Sequence, residues 1–118
     1  MAKNFENLKV WKDSVQLASK IYSVTKTFPK DEVFGLTSQI RRAAVSISAN
    51  IAEGAGRNSK NDFSRFLDIA LGSLNEVKSL MEVAYTLSYM DQKMRDELRS
   101  NTNSLGQSIG AFRKYLKK

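Results

Sequence analysis

The stretch DFSRFLDIALGSLNEVKSLMEVAYTL (62–87) decides the fold. Phe63, Leu67, Ala70, Leu74, Val77, Met81 and Ala84 recur at steps of three and four, which places apolar side chains on one face of an α-helix. Phe66, Ile69, Leu71, Leu80, Tyr85 and Leu87 flank that seam. They widen the apolar arc beyond the roughly 100° stripe that a helix with a single buried face needs. The pattern predicts a helix over 59–90, about 45 Å long, covered from two directions, with Ser59 or Asn61 placed to cap its start.

Outward from this helix the same period continues. Leu36, Ile40, Ala43, Ile47 and Ile51 form the seam of a helix over 36–55, with Thr37 or Ser38 as candidate caps and Gly54 as a natural stop. Leu8, Trp11, Val15, Ala18 and Tyr22, with a second stripe of Val10, Leu17, Ile21, Val24 and Phe28 beside them, predict a helix over 6–27. Phe28-Pro29 ends it, because the residue before proline is pushed out of the α region. Asp91 is placed to cap a last helix over 91–116, with its seam at Met94, Leu98, Leu105, Ile109, Phe112 and Leu116. No alternating strand pattern competes, and short connections favour antiparallel neighbours. The expectation is an all-α fold, an antiparallel up-down-up-down four-helix bundle, as a single domain over 1–118.

Composition agrees with this class. The 118 residues suit one domain, and one Pro with six Gly leaves too few turn signals for a β-sandwich. Cys and His are both absent, which excludes disulfides, thiol nucleophiles, zinc fingers, Ser-His-Asp triads and His-bearing di-iron sites. The remaining acids do not pair suggestively. Glu53, among small residues, reads as a salt-bridge partner rather than a general base. GAGRNSK (54–60) lacks the spacing of a phosphate-binding Walker loop. The expectation is a non-enzyme with no catalytic residue, cofactor or metal. The N-terminal stretch MAKNFENLKVWKD has no apolar core and no apolar run reaches 18 residues, so no membrane partner and a cytoplasmic location are expected.

Charge is uneven. The chain carries +7 overall: +4 within 1–30, zero within 31–58, −1 within 59–90 and +4 within 91–118. Surplus Lys and Arg attract polyanions such as nucleic acid. In an up-down-up-down bundle the first and last helices are neighbours, so their cations are expected to merge into one surface. Lys9, Lys12 and Lys20 are the candidates on the first helix, and Arg95, Arg99, Arg113, Lys114, Lys117 and Lys118 on the last. Arg95, Arg99, Arg113 and Lys117 share a face with Gly106 and Gly110, and are expected to point away from the seam. Glycine inside a helix costs about 1 kcal/mol against alanine, so two on one face imply close approach by another element. Most aromatics fall on or beside helical seams, so any nucleic-acid contact is expected to be phosphate-directed with weak sequence specificity. The alternative is a protein-interaction adaptor or structural oligomer whose basic face docks an acidic protein partner.

The second helix carries a different stripe. Gln39, Arg42, Ser46, Asn50, Glu53 and Arg57 line one flank, and Val45 lies among small residues on the other. Short side chains permit close helix approach, and Glu53 can reach Arg57 one turn on. These residues, with the wide arc of the third helix, are the candidate oligomer interface.

The run QIRRAAVSISANIAEGAGR (39–57) is highly characteristic. With LKVWKDSVQLASKIYSVTKTFP (8–29), VFGL (33–36) and DFSRFLDIALGSLNEVKSL (62–80), it resembles the four-helix-bundle proteins of the 23S rRNA intervening-sequence family, sometimes labelled ribosomal. The fourth helix agrees in pattern only. The resemblance implies a cytosolic bacterial bundle without established catalytic residues. Some members are encoded inside insertions in large-subunit rRNA genes. The resemblance extends to accessory variability proteins of diversity-generating retroelements, which look like five-fold barrels with a basic surface for nucleic acid and a reverse transcriptase. From it alone comes the expectation of a homopentamer. Phe34 stands where the family usually has Tyr, and Ser14 where it usually has Ala.

Overall fold

The computed structural model describes residues 4–117. Four helices follow in order: α1 (Lys9–Thr25), α2 (Leu36–Ala55), α3 (Lys60–Thr86) and α4 (Gln92–Leu116), with single 3₁₀ turns at Phe5–Asn7 and Lys30–Glu32. No strand occurs among the described residues. Each helix packs against the next in the chain, and α4 returns to pack against α1, giving the up-and-down bundle. Its principal extents are 46 × 24 × 20 Å.

The core is where the apolar period places it in α2, α3 and α4. Helix α1 instead buries its other stripe, Val10, Leu17 and Ile21 with Ser14 and Thr25, and leaves Leu8, Trp11, Val15 and Ala18 half-buried and Tyr22 exposed. Ile21, Ile40, Ile47, Ile51, Leu67, Val77, Leu98 and Ile109 are fully buried. The tightest joint is α2 on α3. Alanines and a glycine line it, and a Cβ built on Gly54 would lie 2.7 Å from the Cβ of Phe66 and 2.9 Å from Cδ1 of Phe63. Glycine is required there because two helix backbones pass too closely for any side chain.

The helix ends show how local chemistry and tertiary contact divide the work. Ser59 Oγ accepts from the backbone N–H of Asp62 at 3.0 Å, and Asp91 Oδ1 from that of Met94 at 2.8 Å, so both caps follow the sequence signal. Neither Thr37 nor Ser38 caps α2. Glu32 does so from the preceding turn, accepting from Leu36 N–H at 3.0 Å. Its other oxygen accepts from the Tyr89 hydroxyl at 2.8 Å, tying the α1–α2 and α3–α4 connections together at one end of the bundle. The Leu36 and Tyr89 hydrogen bonds hold the Glu32 carboxyl below the usual carboxylate range. The first helix starts and stops short of the expected 6–27, at Lys9 and Thr25. The third ends at Thr86 rather than 90, because Ser88 takes φ 65° and turns the chain.

Candidate nucleic-acid interface

The cations expected to form one surface with α1 divide between two seams. On the α1–α4 seam, Lys20 Nζ pairs with Glu97 Oε2 at 3.1 Å and donates to Asn101 Oδ1 at 2.8 Å. Lys9 is held by Asp13 at 2.6 Å. Two lysines against two carboxylates leave this seam electrically balanced. It is an open groove with a wall of Gln16, Ser19, Ser23, Asn101, Ser104 and Ser108.

The arginine ridge of α4 turns the other way. It does not point into solvent beside α1 but lies along the α3–α4 seam against carboxylates of α3. Arg95 Nη1 and Arg99 Nη2 donate to the two oxygens of Glu82 at 3.2 and 2.7 Å, and Arg95 Nε also reaches Asp96 Oδ1 at 3.0 Å. The Arg95 guanidinium covers the ring of Tyr85 at 4.3 Å. In the last turn of α4, Arg113 Nη2 donates to Asp68 Oδ2 at 3.0 Å. The Arg99 hydrogen bond holds the Glu82 carboxyl below its ordinary value against partial desolvation, and Arg95 adds to the effect. These ion pairs set three guanidinia against three carboxylates, Glu82, Asp96 and Asp68. By helical spacing Lys78, one turn before Glu82, and Lys117, one turn after Arg113, add to the same helix faces two cations unpaired among the described residues. A guanidinium carries five N–H donors and the ion pairs use only some of them. The Arg99 side chain, 49% exposed, keeps donors in water.

Lys12, Lys114 and Lys117 are exposed, and no carboxylate of the described residues pairs with them. Lys118 lies outside the described residues. The glycines of α4 do not form the expected close approach as a pair. A Cβ on Gly106 would meet Cδ2 of Leu74 at 3.3 Å, whereas one on Gly110 would meet nothing within 4 Å.

The α2 stripe also splits. Ser46 and Ser73 share a hydrogen bond of 2.8 Å across α2–α3, and Asn50 Nδ2 donates back to the Ser46 carbonyl at 2.8 Å, so both serve the bundle's own joint. Gln39, Arg42, Val45, Glu53 and Arg57 remain exposed, with Arg57 donating to Glu53 at 3.0 Å. Beside them α3 exposes Ile69 and Val83, Leu87 is exposed just beyond its end, and the corner before α2 exposes Phe34 almost completely, at 95%.

Glu82 and Asp68, which orient the ridge, were missing from the residues singled out by sequence. A signal existed: Asp68 and Glu82 are 14 positions apart, as are Arg99 and Arg113. Equal spacings on antiparallel helices let both pairs close at once. Among the described residues no three acidic side chains converge on a metal-sized site. No described helix is long and apolar enough to cross a membrane.

Fold and site together define a four-helix bundle whose charged side chains pair along the seams between its helices. The chain belongs to the 23S rRNA-intervening sequence protein family, whose model matches residues 6–111. Among solved structures it is similar to a protein of unknown function from the S23 ribosomal protein family of Bacteroides thetaiotaomicron. The two share 24% identity and a TM-score of 0.81 over 89% of this chain and 95% of that one, a likeness of fold. No curated protein matches the chain.

Proposed function

We propose that this chain is a non-enzymatic, oligomeric bundle protein that binds RNA or DNA through backbone electrostatics with weak sequence specificity. One observation carries the reading: the α3–α4 strip, where α3 carboxylates hold Arg95, Arg99 and Arg113 extended along the bundle. Guanidinia fixed by an ion pair lose less side-chain entropy when a phosphate arrives, and their planar fork suits phosphate oxygens. The balanced α1–α4 seam lends less to such a surface than its lysine count implies.

The test is binding of a labelled generic hairpin across a salt series. Affinity should fall steeply, with a log–log slope of about −0.7 to −0.9 per phosphate contact, and Arg99→Gln should reduce the slope by about one contact. No binding at low salt would overturn the reading and favour an adaptor for an acidic protein. Charge reversal of the three arginines is the wrong probe, since each new carboxylate would face Glu82 or Asp68 and disturb the fold as well.

Self-association belongs to the same proposal. Phe34, Val45, Ile69, Val83 and Leu87, on or beside α2 and α3, are five of the eight large apolar side chains exposed among the described residues. Patches of this kind mark contact surfaces. A closed ring covers them with identical interfaces, and the count of five follows from the family resemblance. Light scattering at micromolar concentration should return a multiple of the monomer mass, and a monomer would reject the association.

A further inference from the structure

We infer that Tyr115, on the last turn of α4, is a stacking platform for an unpaired base, so that the nucleic acid this protein prefers contains single-stranded segments. This rests on the nucleic-acid reading above and adds the class of ligand.

Phe5, Trp11 and Tyr89 pack against other rings, and three further rings are covered by the protein's own guanidinia. Arg41 lies 4.6 Å over Tyr22, Arg57 and Arg65 lie 4.8 and 4.7 Å over Phe66, and Arg95 lies 4.3 Å over Tyr85. Tyr115 is 68% exposed and carries no such cover. Yet it is held in place. Its ring stacks on Phe112 at 6.4 Å with planes 16° apart, and Phe112 in turn meets the buried Phe63 edge-on at 5.4 Å. A ladder of three rings thus runs from the core to the surface and ends in an open aromatic face. A ring with few rotatable bonds, braced from behind, presents stacking surface at low entropic cost.

The surroundings select the ligand. Lys114 precedes Tyr115 and Lys117 follows within the same turn, both exposed and without a carboxylate partner among the described residues. Arg113, on the same turn, continues into the α3–α4 strip. An aromatic face set among unpaired cations is the combination that binds single strands, in which bases stack and the backbone is drawn by charge. The most exposed ring, Phe34, has the opposite setting. It follows Asp31 and Glu32, whose charge repels phosphate, which leaves Phe34 to the protein contact proposed above. A duplex keeps its bases stacked inside and gains nothing from Tyr115 beyond the charge around it.

The experiment compares a labelled 12-nucleotide poly-dT strand with a duplex of equal length on the full chain at one salt concentration. Tyr115→Ala should weaken the single strand about 5- to 100-fold, the loss of one stacked base, and change the duplex less than twofold. Tyr115→Phe should restore the single strand. Lys114→Gln with Lys117→Gln should weaken both probes alike. If Tyr115→Ala binds the single strand as the parent does, or loses both probes equally, the platform is overturned while the electrostatic reading stands. If neither probe binds the parent at low salt, the nucleic-acid reading fails and takes this inference with it. Circular dichroism of Tyr115→Ala should match the parent, because an exposed ring at a helix end supports little of the fold.

Discussion

Helices α2 and α4 are of similar length but are used differently. The former buries nine of its 20 residues and the latter four of its 25. Small residues sink α2 against α3 until a glycine is needed where they cross. The α4 helix rests on one narrow seam of Leu98, Thr102, Leu105 and Ile109, and is flanked by ion pairs to α3 and α1. Between Arg99 and Arg113 its sequence has no charged residue, and its outer face there is Ser, Asn, Gln and Ala. A helix held so lightly can spare a face for a partner. One sunk into the core mainly sets the frame, and only its outer stripe remains free.

The largest test of this contrast is truncation in each seam. Ile47→Ala on α2 should cost about 3–4 kcal/mol by denaturant unfolding at fixed protein concentration. Leu105→Ala on α4, where the neighbouring helix can settle inward, should cost nearer 2 kcal/mol. Equal losses would break the comparison.

Glycine replacements sharpen it, because the same change should have opposite signs. Gly54→Ala should destabilise by about 1–3 kcal/mol, since the new methyl meets Phe66 and Phe63 and neither can withdraw. Gly110→Ala enters open space and should stabilise by up to about 1 kcal/mol through helix propensity alone. A destabilised Gly110→Ala oligomer with an intact monomer would show instead that this face is approached by another subunit.

Acid should loosen both helices through different carboxylates. Glu32 anchors the start of α2 and Glu82 gathers the α4 arginines, and both titrate below the ordinary value of 4.5 in the folded chain. Their stabilisation is present above that value and lost as pH falls through the lower folded values. Tm should therefore drop below about pH 4.5. Glu32→Gln and Glu82→Gln should each remove part of that drop, measured as Tm at pH 3.5 against pH 7.

The smallest expected effect is on the exposed pair at the end of α4. Arg113→Gln should change stability by less than about 1 kcal/mol, yet weaken hairpin binding through one lost phosphate contact. A large stability loss would move Arg113 from the binding surface to the frame.

Much of the frame is legible in the amino-acid order. The bounds of α2 and the caps at Ser59 and Asp91 follow from periodicity and from side chains that reach only three residues. The Glu32 cap escapes such reading because its geometry depends on Tyr89, 57 positions away. For the binding surface, the sequence shows that Arg95, Arg99, Arg113 and Lys117 share a face, since the helical repeat alone decides it. It does not show which neighbour that face meets.

By itself, then, the sequence determined four helices, the apolar seams of α2, α3 and α4 and the surplus of positive charge, because each depends on spacing within one segment. Only the tertiary structure decided that the ridge meets α3 rather than solvent beside α1, and that one tyrosine ends a ladder of rings in the open. Those outcomes depend on how α4 is rotated about its own axis. That rotation is set by packing Leu98, Leu105 and Ile109 into the core and by closing Glu82 on Arg99 and Asp68 on Arg113 together.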